Sequence, residues 1–347
     1  MTRVGLAYDL VKLEGLQERP IDCIAEFDSE ETIQAIAGAL QAGGHEVILL
    51  EANEDFTEKL RMSHPEIVFN IAEGRQGDCR ESHVPAICEF YGIPYTGSGI
   101  LTLSTCLNKA RTNEVLCSNG LKVPPYQVFY TRDDILQLSS EFPLIAKLLH
   151  EGSSMGLSDK SVVKDEKALR NEVDYLLHTY HQPVLVQKFI IGREFNVGIL
   201  GNDDPITLPI TEIIFQEPYG IVMFYPDEEV FPMFKGLKGE HFMDKFMGKI
   251  APKKCICPAV VSLELANRIN QTALKAYQAL DCRDCCRIDL RLSIDDTLFI
   301  LELNPIAGIA PGYWLPHSAE VASINYTEFI NKILDIALER IHNNHHY

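Results

Sequence analysis

The feature that most restricts the fold of this chain is a pair of alternating segments near its C-terminal end. Arg287-Ile-Asp289-Leu-Arg291-Leu is followed by Asp295-Asp296 and then by Leu298-Phe-Ile300-Leu-Glu302-Leu-Asn304. Period-two alternation predicts two β-strands. Arg287, Asp289 and Arg291 share one face of the first, and Ile300, Glu302 and Asn304 one face of the second. With Asp295-Asp296 as a two-residue turn, Asp289 stands opposite Glu302 and Arg287 opposite Asn304. Two carboxylates directly across a hairpin repel each other. A divalent cation between them removes the repulsion, and Mg²⁺ takes oxygen ligands of this kind, completed by phosphates. Asn304 can add an amide oxygen, and Arg287 can face a developing anion. A solvated polar face in another register fits the same pattern, and the hairpin alone leaves both readings open.

The rest of the 347-residue chain reads as an α/β protein. Val4–Tyr8, Val47–Leu50 and Ile67–Ile71 are short apolar runs, as in buried parallel strands. Between the first two, Asp28 and Ser29 are candidate caps for a helix with apolar positions at Ile33, Ile36, Ala37 and Leu40, ended by Gly43-Gly44. A helix over Val84–Tyr91 stops at Gly92, completing a small doubly wound unit. Beyond Thr96-Gly97-Ser98-Gly99 the pattern changes. A helix over Asn108–Asn119 ends at Gly120, and short strands flank a glycine- and serine-rich loop, Glu151–Ser158. The segment closes on Val184–Ile190. Longer β runs follow from Arg193, then a polar and aromatic stretch (215–255), a helix near Leu263–Leu280, the hairpin, and a terminal helix near Tyr326–Ile341.

Composition narrows the partners. A net charge of −18 argues against nucleic acid or an anionic membrane, both of which need clustered Lys and Arg. Met1–Leu6 lacks a signal-peptide pattern, and no apolar run approaches the length that spans a bilayer. Ten cysteines without a secretion signal read as reduced thiols, which predicts a cytoplasmic protein.

The motifs, taken in order, resemble the ATP-grasp superfamily and within it the D-alanine–D-alanine ligase branch. They are Phe69-Asn-Ile-Ala-Glu-Gly74, Gly92-Ile-Pro-Tyr-Thr-Gly-Ser98, Asn108-Lys109, Lys147 with Glu151-Gly-Ser-Ser-Met-Gly156, Gln187-Lys-Phe-Ile190 with Gly192-Arg-Glu194, and Arg287-Ile-Asp289 with Glu302-Leu-Asn304. The resemblance covers nearly the whole chain. It implies a three-domain ATP-grasp fold: a preATP-grasp domain over 1–106, a central subdomain with a lid loop over 107–190, and a C-terminal subdomain with the metal and substrate sites over 191–347. ATP and Mg²⁺ (or Mn²⁺) are the implied cofactors. Lys109 and Lys147 would contact phosphates together with the loop Glu151, Gly152, Ser153 and Ser154. Gln187, Lys188, Phe189 and Ile190 would meet adenine, and Glu194 the ribose. Asp289, Glu302 and Asn304 would hold the metal. Arg287, Gly308, Ser154 and Glu26 form the implied catalytic group, with Arg287 and the Gly308 backbone steadying a tetrahedral intermediate. The implied activity is amide-bond formation between amino acids through an acyl phosphate. A D-alanine–D-alanine ligase proper and a catalytically inactive nucleotide-binding regulator are the alternatives. A homodimer is the implied assembly.

The chain departs from the family pattern at the substrate end. Glu73 stands where the family has a His after the third strand, and Tyr313-Trp314 fill the positions of a Ser-Leu pair. The loop tyrosine of the family has no clear match, with Tyr219 and Tyr225 as candidates. Glu26 reads either as a partner for an amino group or as a helix-flanking acid. Trp314 reads as a pocket wall or as core. The glycine-rich loop is either a lid over phosphates or only a hairpin turn. Cys282, Cys285 and Cys286, like Cys255 and Cys257, read as small apolar residues, since adjacent residues on a strand point to opposite faces. His345-His346 reads as a frayed tail.

Overall fold

The computed structural model describes residues 1–11, 20–138, 141–215, 217–222 and 252–343. Tyr225, His345-His346 and most of the stretch 215–255 lie outside the described residues.

Three parallel strands, β1 (Arg3–Tyr8), β2 (Glu46–Glu51) and β3 (Ile67–Asn70), form the first sheet in the order β2-β1-β3. Helix α1 (Glu30–Ala42) starts where the Ser29 hydroxyl accepts the Thr32 N–H at 3.2 Å, so Ser29, not Asp28, is its cap. Its Ile33, Ile36 and Leu40 pack with Val4, Leu6, Ile67 and Phe69 on one face of the sheet. On the other face Ala7, Leu50 and Val68 meet Phe56 and Leu60 of α2 (Phe56–Ser63) and Val84 and Cys88 of α3 (His83–Tyr91). Both faces are covered by helices, as the alternating pattern predicts.

Helices α4 (Ile100–Leu107) and α5 (Lys109–Ser118) lead to an antiparallel sheet of β4 (Tyr126–Phe129), β5 (Leu144–Leu148), β6 (Val162–Val163) and β7 (Val184–Lys188), ordered β4-β7-β5-β6. Helix α6 (Glu166–Tyr180) seals it through Leu169, Val173 and Leu176. The remaining strands are β8 (Gly192–Leu200), β9 (Ile206–Thr207), β10 (Thr211–Phe215), β11 (Pro252–Ile256), β12 (Cys285–Ser293) and β13 (Leu298–Asn304). They form an antiparallel sheet ordered β11-β10-β8-β12-β13, with β9 beside β8. Helix α7 (Leu263–Ala279) backs this sheet through Ile269, Ala273 and Tyr277. The last helices are α8 (Trp314–Val321) and α9 (Tyr326–Asn343). Through Phe329, Ile330 and Ile333, α9 packs into the same core as α1 and the first sheet, so the end of the chain covers its beginning.

One buried carboxylate ties these parts together. Asp284 is fully buried and takes four bonds: two from Arg340 of α9 at 2.9 Å, one from Asn202 at 2.9 Å and one from the Gly97 N–H at 2.7 Å. Among the described residues no helix is long and apolar enough to cross a membrane. Asp284→Asn should lower the urea midpoint, with a stability loss of roughly 3–5 kcal/mol, because it leaves the Arg340 charge buried and unpaired. An unchanged midpoint would show that Arg340 finds another partner.

Candidate active site

The hairpin pairs Arg287 with Asn304 and Asp289 with Glu302, as expected, but by another route. The turn is not the two-residue Asp295-Asp296. Ser293 donates its N–H to the Thr297 carbonyl at 2.9 Å, which closes a three-residue loop with Asp296 at φ 61°. That loop alone would shift the register by one residue. A bulge restores it: Leu290 pairs with Ile300, and Leu301 is the extra residue. The bulge also reverses Ile300, which was expected on the face of Glu302. It lies in the core beside Leu303, while Leu301 faces the cavity.

Along the polar face, strand β8 places Asn196 beside Asp289 and Glu194 beside Arg291. Arg287 grips Asp289 with two bonds at 2.9 and 3.0 Å, and Asn196 and Asn304 donate to the same carboxylate. Lys109, at the start of α5, bridges Glu302 and the Glu151 carbonyl. Burial alone would raise the Glu302 pKa, but Lys109 and Lys147 hold it below the usual carboxylate value. Lys147, on β5, has no hydrogen bond or ion pair to a described residue. Burial and then Lys109 lower its pKa to about 8, against the pull of Glu302. An unpartnered lysine beside this carboxylate pair suits an anion carrying a divalent cation. Among the described residues no three His, Cys, Asp or Glu side chains could hold a metal together. Asn304 and phosphate oxygens would therefore have to complete a hard-ion shell.

These residues line a cavity of about 150 Å³, floored by Ile145 and Lys147 and edged by Gln187, Lys188, Phe189, Ile190 and Glu194. The Gln187 side chain is buried and has no hydrogen-bond partner among the described residues; the Ile190 carbonyl accepts from Arg291 at 3.0 Å, and Glu194 pairs with Arg291 at 2.7 Å. Burial raises the Glu194 pKa despite that partner. Tyr219 is not at the junction: it lines neither cavity and packs against Phe189 at 6.0 Å, under Lys164.

A second cavity, of about 510 Å³, shares Lys109, Ser154, Arg287, Glu302, Asn304 and Trp314 with the first. Its further walls include Glu26, Glu73, Gly308 and Tyr313. Trp314 is a wall of both, and Arg287 lies 5.5 Å over its ring. Tyr313 packs so close to Gly308 that a Cβ there would come within 2.7 Å of the ring. The Gly308 N–H makes no hydrogen bond to a described residue. Glu73 is positioned by Gly74, whose φ of +85° and contact with the Arg80 carbonyl exclude any Cβ, and whose N–H is held by Asp9 at 2.7 Å.

Glu26 is neither free nor helix-flanking. One oxygen takes Arg80 at 2.6 Å, and the other accepts the Gly152 N–H at 2.8 Å. Asp22 accepts the Gly156 N–H at 2.8 Å and the Tyr180 hydroxyl at 2.7 Å. Arg80 also binds Glu151 and the His150 carbonyl. Met155 is buried among the side chains of the second sheet, and Ser153 and Ser154 sit at φ 46° and 61°. The glycine-rich loop is therefore docked on the segment before α1, in a strained backbone. Asp22, Asp28, Arg80 and Glu81 were not read as site residues. Only Asp28 carried any signal, as a cap candidate. Cys285 and Cys286 do face opposite cores, and none of the ten cysteines forms a disulfide.

A family model described as the D-ala D-ala ligase C-terminus matches residues 115–335. The chain belongs to the D-alanine–D-alanine ligase family. A D-alanine–D-alanine ligase of Syntrophobacter fumaroxidans is 31% identical over 79% of this chain and 81% of its own length. An uncharacterized protein of Sinorhizobium fredii is 30% identical over 89% of this chain and 88% of its own. The crystal structure of the D-alanine–D-alanine ligase from Bacillus anthracis complexed with ATP superposes with a TM-score of 0.71 at 20% identity, over 99% of this chain and all of that one. The fold is thus the ATP-grasp fold, and the protein is an ATP-grasp ligase. In this ligase Asp22→Ala should release the loop. Thermolysin should then cut within 151–158 several-fold faster than in the wild type, and equal rates would show that Glu26, Arg80, Lys109 and buried Met155 suffice to hold it.

Proposed function

We propose that the chain is an ATP- and Mg²⁺-dependent amino-acid ligase whose main product is not D-alanyl-D-alanine. The observation that carries this reading is the junction of the two cavities, where Lys109, Arg287, Glu302 and Asn304 are common walls. ATP would lie in the first cavity, with adenine at Gln187–Ile190, ribose at Glu194 and phosphates at Lys109, Lys147 and the loop Gly152–Ser154. Asp289, Glu302 and Asn304 would hold Mg²⁺, which supplies charge neutralisation on the phosphates. A substrate carboxylate oxygen attacks the γ-phosphorus and ADP leaves. The amine of the second substrate then attacks the acyl carbon, the C–O bond to phosphate breaks, and the amine gives up a proton. Arg287 and the Gly308 N–H would receive the oxyanion of that step.

Large rings at Tyr313 and Trp314 and an acid at Glu73 support a substrate other than D-alanine. The ring of Trp314 is already engaged by Arg287, so its part is that of a fixed wall. The D-alanine–D-alanine ligase reading is favoured by the names of relatives such as that of Desulforudis audaxviator, 29% identical over 88% of this chain. A screen of phosphate release over D- and L-amino acids, with mass spectrometry of the amide, separates the two. D-alanine as best substrate overturns our reading. Thiols outside any disulfide suit the cytoplasm, and a homodimer is what the family resemblance suggests.

Glu302→Gln should lower ATP turnover by at least about 10²-fold with the fold intact, because it removes a charge from the proposed metal site. Turnover near wild type would exclude Glu302 as a ligand. The pH dependence tests Lys147. Its folded pKa, about 8, lies below the unfolded value of about 10.4. Between these values the unfolded chain holds the proton and the folded one does not, so this group's contribution to stability rises with pH across that window. Phosphate binding needs the charged form, so kcat/KM for ATP should fall above about pH 8. Lys147→Arg should remove that fall; an identical profile would assign it to another group.

A further inference from the structure

We infer that the second cavity seats a basic amino acid, its side-chain ammonium or guanidinium lodged among Asp28, Glu73 and Glu81. The inference rests on the ligase reading and adds the class of one substrate.

All three carboxylates line the cavity, and none has a hydrogen bond or ion pair to a described residue. Glu81 is only 8% exposed. The cations around them are committed elsewhere. Arg80 is held by Glu26, Glu151 and the His150 carbonyl, Lys109 by Glu302, and Arg287 by Asp289. Burial and then Glu26 raise the Glu81 carboxyl to about 8. Burial, Glu26, Glu81 and Asp28 push Glu73 well up, and burial and Asp9 do the same to Asp28.

Three acids without a donor among the described residues, Glu81 buried and Asp28 and Glu73 half-buried, cost the folded state stability. A ligand that brings a cation turns that cost into charge-assisted hydrogen bonds. A neutral side chain leaves the acids unanswered, and an acidic one adds a further like charge. The rest of the wall suits the stem of such a substrate: Phe27, Ile306 and Ala307 are apolar surfaces along which a methylene chain can lie. Elongated, apolar along its length and positive at its tip, a lysine-, ornithine- or arginine-like molecule matches this lining.

The test uses the full chain with ATP and Mg²⁺. Phosphate release is measured for lysine, ornithine and arginine against norleucine and glutamine, in both chiralities, each alone and paired with the others. The best basic amino acid should exceed its neutral counterpart in kcat/KM by about tenfold or more. Glu73→Gln and Asp28→Asn should each shrink that ratio, chiefly by raising KM for the basic substrate. Should Glu73→Gln fail to fold, Glu81→Gln takes its place. Equal use of norleucine and lysine overturns the inference while leaving the ligase reading intact, as does a ratio that no variant changes. Absence of phosphate release with every amino acid overturns the ligase reading, and the inference with it.

Discussion

The site is organised by two carboxylates, Asp289 and Glu302, set directly across two adjacent strands. Side by side they repel, so the fold must bring positive charge to both. It does so from different elements. Arg287 reaches along its own strand to Asp289, and Lys109 enters from the first turn of α5 to Glu302. Lys109 also holds the Glu151 carbonyl at the root of the glycine-rich loop. One repulsion on one hairpin therefore fixes where α5 begins and where the loop leaves β5. On the proposed reading, the cations that relieve it would also meet phosphate charge. A divalent ion between the carboxylates would take over part of that work and free Lys109 and Arg287 to turn toward substrate.

The loop shows the same exchange of anions. Backbone N–H groups at Gly152 and Gly156 suit phosphate oxygens, and here they are held by the carboxylates of Glu26 and Asp22. Protein acids thus occupy donors of the kind a nucleotide would use. Because both acids lie before α1, the loop of the central sheet is coupled to the first parallel sheet. Arg80 reinforces the coupling by joining Glu26 to Glu151.

Much of this was legible in the sequence because it is local. Ser29, Gly92 and Gly120 mark helix ends through their own backbone chemistry, and apolar runs mark β1 to β3. The facing of Arg287, Asp289 and Arg291 follows from the pleat alone. Register does not. The Asp289–Glu302 pairing came out as expected only because a three-residue loop and a bulge at Leu301 offset each other, and Ile300 shows the error that remains. Asp28, Arg80 and Glu81 were illegible for another reason. Their burial and mutual approach come from the docking of three separate segments, and no spacing in the chain encodes it. Tyr219, one of two candidates for the loop tyrosine, lines neither cavity and is held by Phe189 and Lys164, contacts that no sequence pattern announces.

The two cavities divide the charge that net composition hides. The chain carries a net charge of −18, yet the first cavity is lined by Lys109, Lys147, Lys188, Arg287 and Arg291 against Glu151, Glu194, Asp289 and Glu302, a slight positive excess. The second is lined by Glu26, Asp28, Glu73, Glu81, Glu151 and Glu302 against only Lys109 and Arg287, an acidic excess. In so confined a space the field of each lining outweighs the distant surface charge, which salt at about 0.1 M screens over about 10 Å. An anion is thus favoured on one side of Glu302 and a cation on the other. A substrate that is carboxylate at one end and ammonium at the other would be oriented by this gradient before any specific contact forms. Its carboxylate would point to the phosphates and its positive end to the acids. Orientation of this kind is what a ligation needs, since the carboxylate must meet the γ-phosphoryl group first and the amine only afterwards. The unpaired acids lower the stability of the empty fold, and the same feature would make the orientation of the proposed substrate a consequence of the charge lining rather than of shape alone.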